Sequence, residues 1–130
     1  MGASKTSLSA GLVIRAVLLE DEAVSAITNQ VFPVITESDT LPYIQIRRRS
    51  LSETLQKNRT PMADEAEMEI TCFTAEYDEG VALAEAVRYA LDGIQAEHDG
   101  MRMRSCYLID SGEDYVDDAF VQMLAFRIKV

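Results

Sequence analysis

Arg47, Arg48, Arg49, Lys57 and Arg59 gather five of the chain's twelve Lys and Arg residues into thirteen positions, with Glu53 the only acid among them. That segment carries a net +4 against −14 over the rest of the chain, whose total is −10. Three chemistries suit such a cluster: contact with an acidic patch of another protein, a solvated strand end, or a nucleic acid. Single-strand binding needs aromatic side chains interleaved with the cations for stacking on bases, and this segment has none. The acidic total also opposes general affinity for a polyanion. Complementary charge between proteins sets register and encounter rate more than affinity, and contact with an acidic neighbour is the reading we adopt.

The other reactive residue types lead to less. Asp110 to Asp118 is rich in carboxylates but lacks the Asp-x-Asp-x-Asp-Gly spacing of a calcium loop, and reads as a charged turn. His98 stands among Gln95, Glu97 and Asp99 with no positioned partner for acid-base work, and reads as a solvated loop residue. Cys72 and Cys106 are not in a Cys-x-x-Cys spacing, and with one histidine they cannot assemble an ordinary four-ligand zinc site, so both read as buried free thiols. Gly-x-Ser-x-Gly, a Gly-rich phosphate loop and His-Glu-x-x-His are all missing. We therefore expect no catalytic, cofactor-binding or metal residues. A small carboxylate-dependent enzyme stays as the rival class, since twenty-two acids could supply a site anywhere in the fold. No apolar run reaches the roughly 20 residues that span a bilayer, so no membrane partner is expected.

These residues need a scaffold, and 130 residues with 48% apolar and 26% charged content suit one folded domain. We expect residues 1–6 to be disordered and 7–130 to form that domain. The organising stretch runs from Met62 to Gly93. Glu67 to Phe73 alternates, with Met68, Ile70 and Cys72 on one strand face. Leu83, Ala84, Val87, Ala90, Leu91 and Ile94 then recur at helical spacing, with Asp78 and Glu79 at the positive end of the dipole and Gly93 to end the helix.

Taken in order, an opening helix capped by Ser7 or Ser9 should carry Leu8, Leu12, Ala16 and Leu19 on its buried stripe. A short helical turn follows from Glu20 to Ile27, and Val31 to Ile35 is an edge piece because of Pro33. Tyr43 to Arg49 is a strand with Ile44 and Ile46 facing one way. Ser50 to Pro61 reads as a long hairpin arm or flexible loop between antiparallel strands. Gln95 to Gly100 is a polar connection, Met101 to Ile109 a strand, and Ala119 to Val130 the last strand. Leu124, Phe126 and Ile128 lie on one face of that strand, and Val121, Met123 and Ala125 on the other. Arg47 and Arg49, Glu67 and Glu69, and Arg102 and Arg104 all oppose the apolar sets, as cross-strand ion pairs would require. The expected fold class is α+β, an antiparallel four- to five-stranded sheet with two main helices packed on one face. Its core should include Leu12, Ala16, Leu19, Ile44, Ile46, Ile70, Leu83, Val87, Leu91, Leu124 and Phe126.

The opening helix followed by Val31-Phe32-Pro33, the Leu41-Pro42-Tyr43-Ile44 strand, the Tyr77 to Val87 helix ending in Leu91-Asp92-Gly93, and the late acidic stretch before a final strand resemble the tail completion proteins. These belong with the tail terminator proteins of long-tailed phages and prophages, and the resemblance covers about residues 8 to 130. It implies a non-enzymatic structural protein of a virion tail, assembled in the bacterial host cytoplasm. Such proteins form a homo-oligomeric ring, commonly of six subunits, on the head-proximal end of the tail tube. The implied partners are the tail tube protein and the head-tail connector proteins, with no specific nucleic-acid binding and no cofactor. Another neck protein is the alternative within the same setting. A ring built by head-to-tail contacts needs two different patches on each subunit, and the candidate interface residues are Arg47, Arg49, Lys57, Arg59, Val121 and Met123.

Overall fold

The computed structural model describes residues 7–34, 40–55 and 61–129. Helix α1 (Ala10–Glu20) and the single turn α2 (Glu22–Ser25) lead to strand β1 (Val31–Pro33). Strands β2 (Tyr43–Leu55) and β3 (Pro61–Thr74), helix α3 (Tyr77–Leu91), a small hairpin of β4 (Ala96–His98) and β5 (Met101–Met103), and strands β6 (Ser105–Val116) and β7 (Ala119–Lys129) follow. The main sheet has five strands in the order β1-β2-β3-β7-β6. Every neighbouring pair is antiparallel except β1 and β2, which are parallel.

Alternation in β3 decides which face is covered. Ala66, Met68, Ile70, Cys72 and Thr74 are buried beneath α1 and α3, whereas Glu65, Glu67 and Glu69 turn to the opposite face. In β7 the matching inward residues are Leu124, Phe126 and Ile128, with Phe126 in register with Met68. Helix α3 presents Gly80, Leu83, Ala86, Val87 and Leu91 to this layer. Asp78 and Glu79 occupy its first turn, where the helix dipole favours them, and Gly93 follows it at φ +80°.

The hydrophobic layer includes eight of the expected core residues, from Ile44 to Phe126. The opening helix is rotated from its expected setting. Ala10, Val13, Ile14 and Leu18 are fully buried, Leu12 is 48% exposed, and Ala16 and Leu19 are half-buried. Ser9 does not cap the helix as expected. A 3₁₀ turn, Ser7–Ser9, enters it, and Ser9 makes no side-chain cap bond.

Three other sequence expectations change. Asp110 to Val116 is strand, not a turn; the reversal is confined to Asp117 and Asp118, at φ 51° and 64°. Met101 to Ile109 is not one strand, because β5 folds back on β4 at Asp99-Gly100 and buries Met101 and Met103 against the core. His98 lies in β4, exposed, rather than in a loop. The Ser50 to Pro61 stretch does contain a hairpin arm, since β2 and β3 stay paired out to Leu55 and Pro61. The expectations for residues 1–6, for Ile35 and for most of the loop before Thr40 fall outside the described residues.

Candidate interaction surface

Both long helices lie on one side of the sheet, and among the described residues no helix packs on the other. That helix-free face is a lattice of rows running across β2, β3, β7 and β6. One row is Tyr43, Phe73, Val121 and Asp114; the next is Gln45, Thr71, Met123 and Gly112; the third is Arg47, Glu69, Ala125 and Asp110. Four expected interface residues, Arg47, Arg49, Val121 and Met123, are therefore brought to one face or its margin. Lys57 and Arg59 lie outside the described residues.

Chemistry changes along this face. At the end nearest the start of β2 it is aromatic: Tyr43 stacks on Phe73 with ring centroids 4.7 Å apart, and Phe32 of β1 sits 6.0 Å from Tyr43. Val121, beside Phe73, is only 9% exposed, whereas Met123 in the middle of the face is 37% exposed. Towards the hairpin arm the face becomes charged. Arg49 pairs with Glu69 at 3.6 Å, Arg127 with Glu67 at 3.3 Å, and Lys129 with Glu65 at 3.6 Å. Exposed pairs of this kind contribute about 0–1 kcal/mol each, so their consequence is neutralisation of this part of the face. Arg102 and Arg104, expected among the cross-strand charges, stand in and after the β4–β5 hairpin instead.

A second cluster sits where α3 begins. Glu113 of β6 accepts hydrogen bonds from the Tyr77 hydroxyl and the Gln122 amide, both at 2.6 Å. Phe120 lies edge-on to Tyr77 and to Tyr115. The bond from Tyr77, reinforced by that from Gln122, holds the Glu113 carboxyl below the ordinary carboxylate range, and the same bond pushes the Tyr77 phenol up. Sequence reading missed this cluster because its members come from three elements. It also passed over the aromatic row, although strand alternation already set Phe73 on the face of Glu67 and Glu69.

Among the described residues, no group of three His, Cys, Asp or Glu is placed to hold a metal ion. Cys72 and Cys106 are buried, and burial pushes each thiol up to about 12. Among the described residues, no helix is long and apolar enough to cross a membrane.

Residues 13–130 match the family model described as "Tail completion protein gp17". The chain belongs to this family. As a tail completion protein it is a structural component of a phage-type tail. A chain from a structure titled "Virion of native gene transfer agent (GTA) particle" superposes with a TM-score of 0.79 at 19% identity, covering 96% of this tail completion protein and 98% of that chain. A second solved chain gives a TM-score of 0.61 at 11% identity over 90% and 92% of the two chains. At these identities the likeness is one of fold. Among curated proteins, none matches the sequence.

Proposed function

We propose that this protein closes the head-proximal end of a tail tube as a ring of six copies and presents the surface to which the head joins, without enzymatic activity. Family membership over residues 13–130 carries this reading. The helix-free face supports it: a surface graded from aromatic to charged is suited to a protein partner rather than to a small substrate. Arg47, Arg49 and Met123 are the residues we assign to that contact, with Val121 supporting it from beneath. The reading also places assembly in the host cytoplasm, beside tube and connector proteins.

Light scattering across protein concentration, with and without purified tail tubes, tests the proposal. Hexamers in solution, or monomers that become hexameric on tubes, are the expected result. A chain that stays monomeric and leaves tubes unbound overturns it, and binding to the connector alone moves the protein to another position in the neck.

A further inference from the structure

We infer that neighbouring copies join by strand addition, the outer edge of β2 in one copy pairing antiparallel with the outer edge of β6 in the next. This rests on the ring reading above and names the contact that would build it.

Both outer strands are covered only in part. On β2, Ile44 donates to the Gln30 carbonyl and Ile46 accepts from Val34, but β1 ends at Pro33, and among the described residues no strand pairs with Arg48 to Leu55 on that side. On β6, the turn after α3 covers the start of the strand: Gly93 N–H donates to the Cys106 carbonyl and Leu108 N–H to the Asp92 carboxylate. From Asp110 to Val116 no other strand covers the edge among the described residues. Long open edges are templates for pairing.

The two open stretches match in length, direction and charge. In the sheet β2 and β6 run in opposite directions, so a neighbour in the same orientation brings its β2 antiparallel to β6. With Leu51 opposite Glu113, the two open stretches coincide. Residues 44–46, which carry β1, then fall opposite 118–120, past the end of β6. The covered start of β6 falls opposite residues beyond Leu55, past the end of β2. Neither obstruction falls opposite β2 or β6 of the other copy. Leu51 pairs with Ala66 and Glu113 with Gln122, so both side chains lie on the helix-bearing face and the pleat continues across the joint.

Charge agrees. The β2 stretch brings Arg48 and Arg49 with Glu53 as its one acid, and the β6 stretch brings Asp110, Glu113 and Asp114 with no base. In the single chain Asp110 and Asp114 accept from the N–H of Ser111 and Tyr115, shielding the edge from indiscriminate pairing. A neighbour's backbone takes over those N–H groups; in this register Asp114 falls opposite Ser50, next to the neighbour's Arg49, whereas Asp110 falls opposite Thr54, away from both arginines. Two different edges on each copy make the contact heterologous, as ring closure requires.

The test mixes full-length Leu51→Cys with full-length Glu113→Cys under mild oxidation, with and without purified tail tubes. The native thiols are buried and do not compete. A cross-linked dimer from the mixture, absent from either variant alone, is expected, and the double variant should give a ladder up to the closed ring. Rings that form without the cross-link, or a cross-link to tube protein instead, overturn strand addition while leaving the ring reading intact. Absence of any assembly removes both. As a second measurement, Glu113→Pro, which lacks the outward N–H, should lower the assembled fraction about tenfold below Glu113→Ala. Equal assembly by the two overturns the inference.

Discussion

The Tyr77 hydroxyl, in the first turn of α3, donates to a Glu113 carboxylate oxygen in β6 at 2.6 Å, tying the helix start to an outer strand of the sheet. Glu113 also accepts from Gln122, so one exposed carboxylate joins three elements. Its pKa is lowered first by the Tyr77 bond. A lowered carboxylate contributes stability that is present above its unfolded-state value and lost as pH falls through the folded one. Tyr77→Phe should therefore return the Glu113 titration, followed by NMR, towards the ordinary carboxylate value. An unchanged titration would show that the tyrosine does not set it.

Gly80 stands where α3 presses against Thr74 of β3. A Cβ at this position would lie 2.8 Å from the Thr74 hydroxyl oxygen and 3.6 Å from Cγ of Gln122. Thr74 is fully buried, and its hydroxyl donates to the Glu76 carbonyl at 2.8 Å, so it has little freedom to retreat. Gly80→Ala should destabilise the fold by about 1–3 kcal/mol. In denaturant unfolding, adding Thr74→Ala should recover part of that loss, giving a non-additive cycle. Strict additivity would place the strain elsewhere.

Burial of Cys72 and Cys106 makes a pH prediction of the opposite sign. Each thiol is raised from 9.0 to about 12 by loss of solvation, with the Asp92 charge adding to the effect at Cys106. A raised folded-state pKa leaves stability full below the unfolded value and erodes it as pH rises from about 9 towards 12. Thermal unfolding should show that loss in the wild type and less of it in Cys72→Ala compared at matched stability. Neither thiol should react with an aromatic disulfide reagent near neutral pH until the protein unfolds.

The parts of the fold legible in the sequence are those with one unambiguous period. In β3, glutamates separate the inward residues Met68, Ile70 and Cys72, and in α3 charged residues mark the solvent side, so each had one burial pattern available. Helix α1 did not. Its sequence AGLVIRAVLLE is apolar on most sides, and packing against β1, α3 and the β4–β5 hairpin selected Val13, Ile14 and Leu18 over Leu12 and Ala16. Arg15 shows the tertiary choice, its Nε donating to the Val31 carbonyl at 2.9 Å. The second half of β6 was hidden for another reason. An outer strand that is exposed on most sides needs no apolar alternation, and Asp110-Ser111-Gly112-Glu113-Asp114 carries turn composition while the backbone pairs with β7. On the candidate surface, alternation set Met123 and Arg47 on the correct face, whereas the aromatic row depended on a β1–β2–β3 register that no single segment encodes.

The charged end of the helix-free face should matter little to folding. Arg127 and Glu67 are 3.3 Å apart with side chains 50% and 30% exposed. A double-mutant cycle through Arg127→Ala and Glu67→Ala should return a coupling of about 0–1 kcal/mol. Raising the salt concentration should shrink it further. A coupling above about 2 kcal/mol would make this pair a structural element instead, contrary to the energetics of exposed ion pairs.

Met123 and Val121 separate interaction from stability on the same strand and face. Met123 is 37% exposed, between Thr71 and Gly112 in register, so an aspartate there remains hydrated. Met123→Asp should change stability by no more than about 0.5 kcal/mol. Binding to tail tubes, measured by co-sedimentation, should fall about tenfold or more if the helix-free face is the contact, since a charge replaces an apolar group in a desolvated patch. Val121 is 9% exposed beside Phe73, and aspartate there places a carboxylate in an apolar setting without a partner. Val121→Asp should therefore lower the unfolding midpoint before any binding defect is measurable. Tube binding by a stable Met123→Asp variant at wild-type strength would move the contact off this face, to the sheet edges or the helix side.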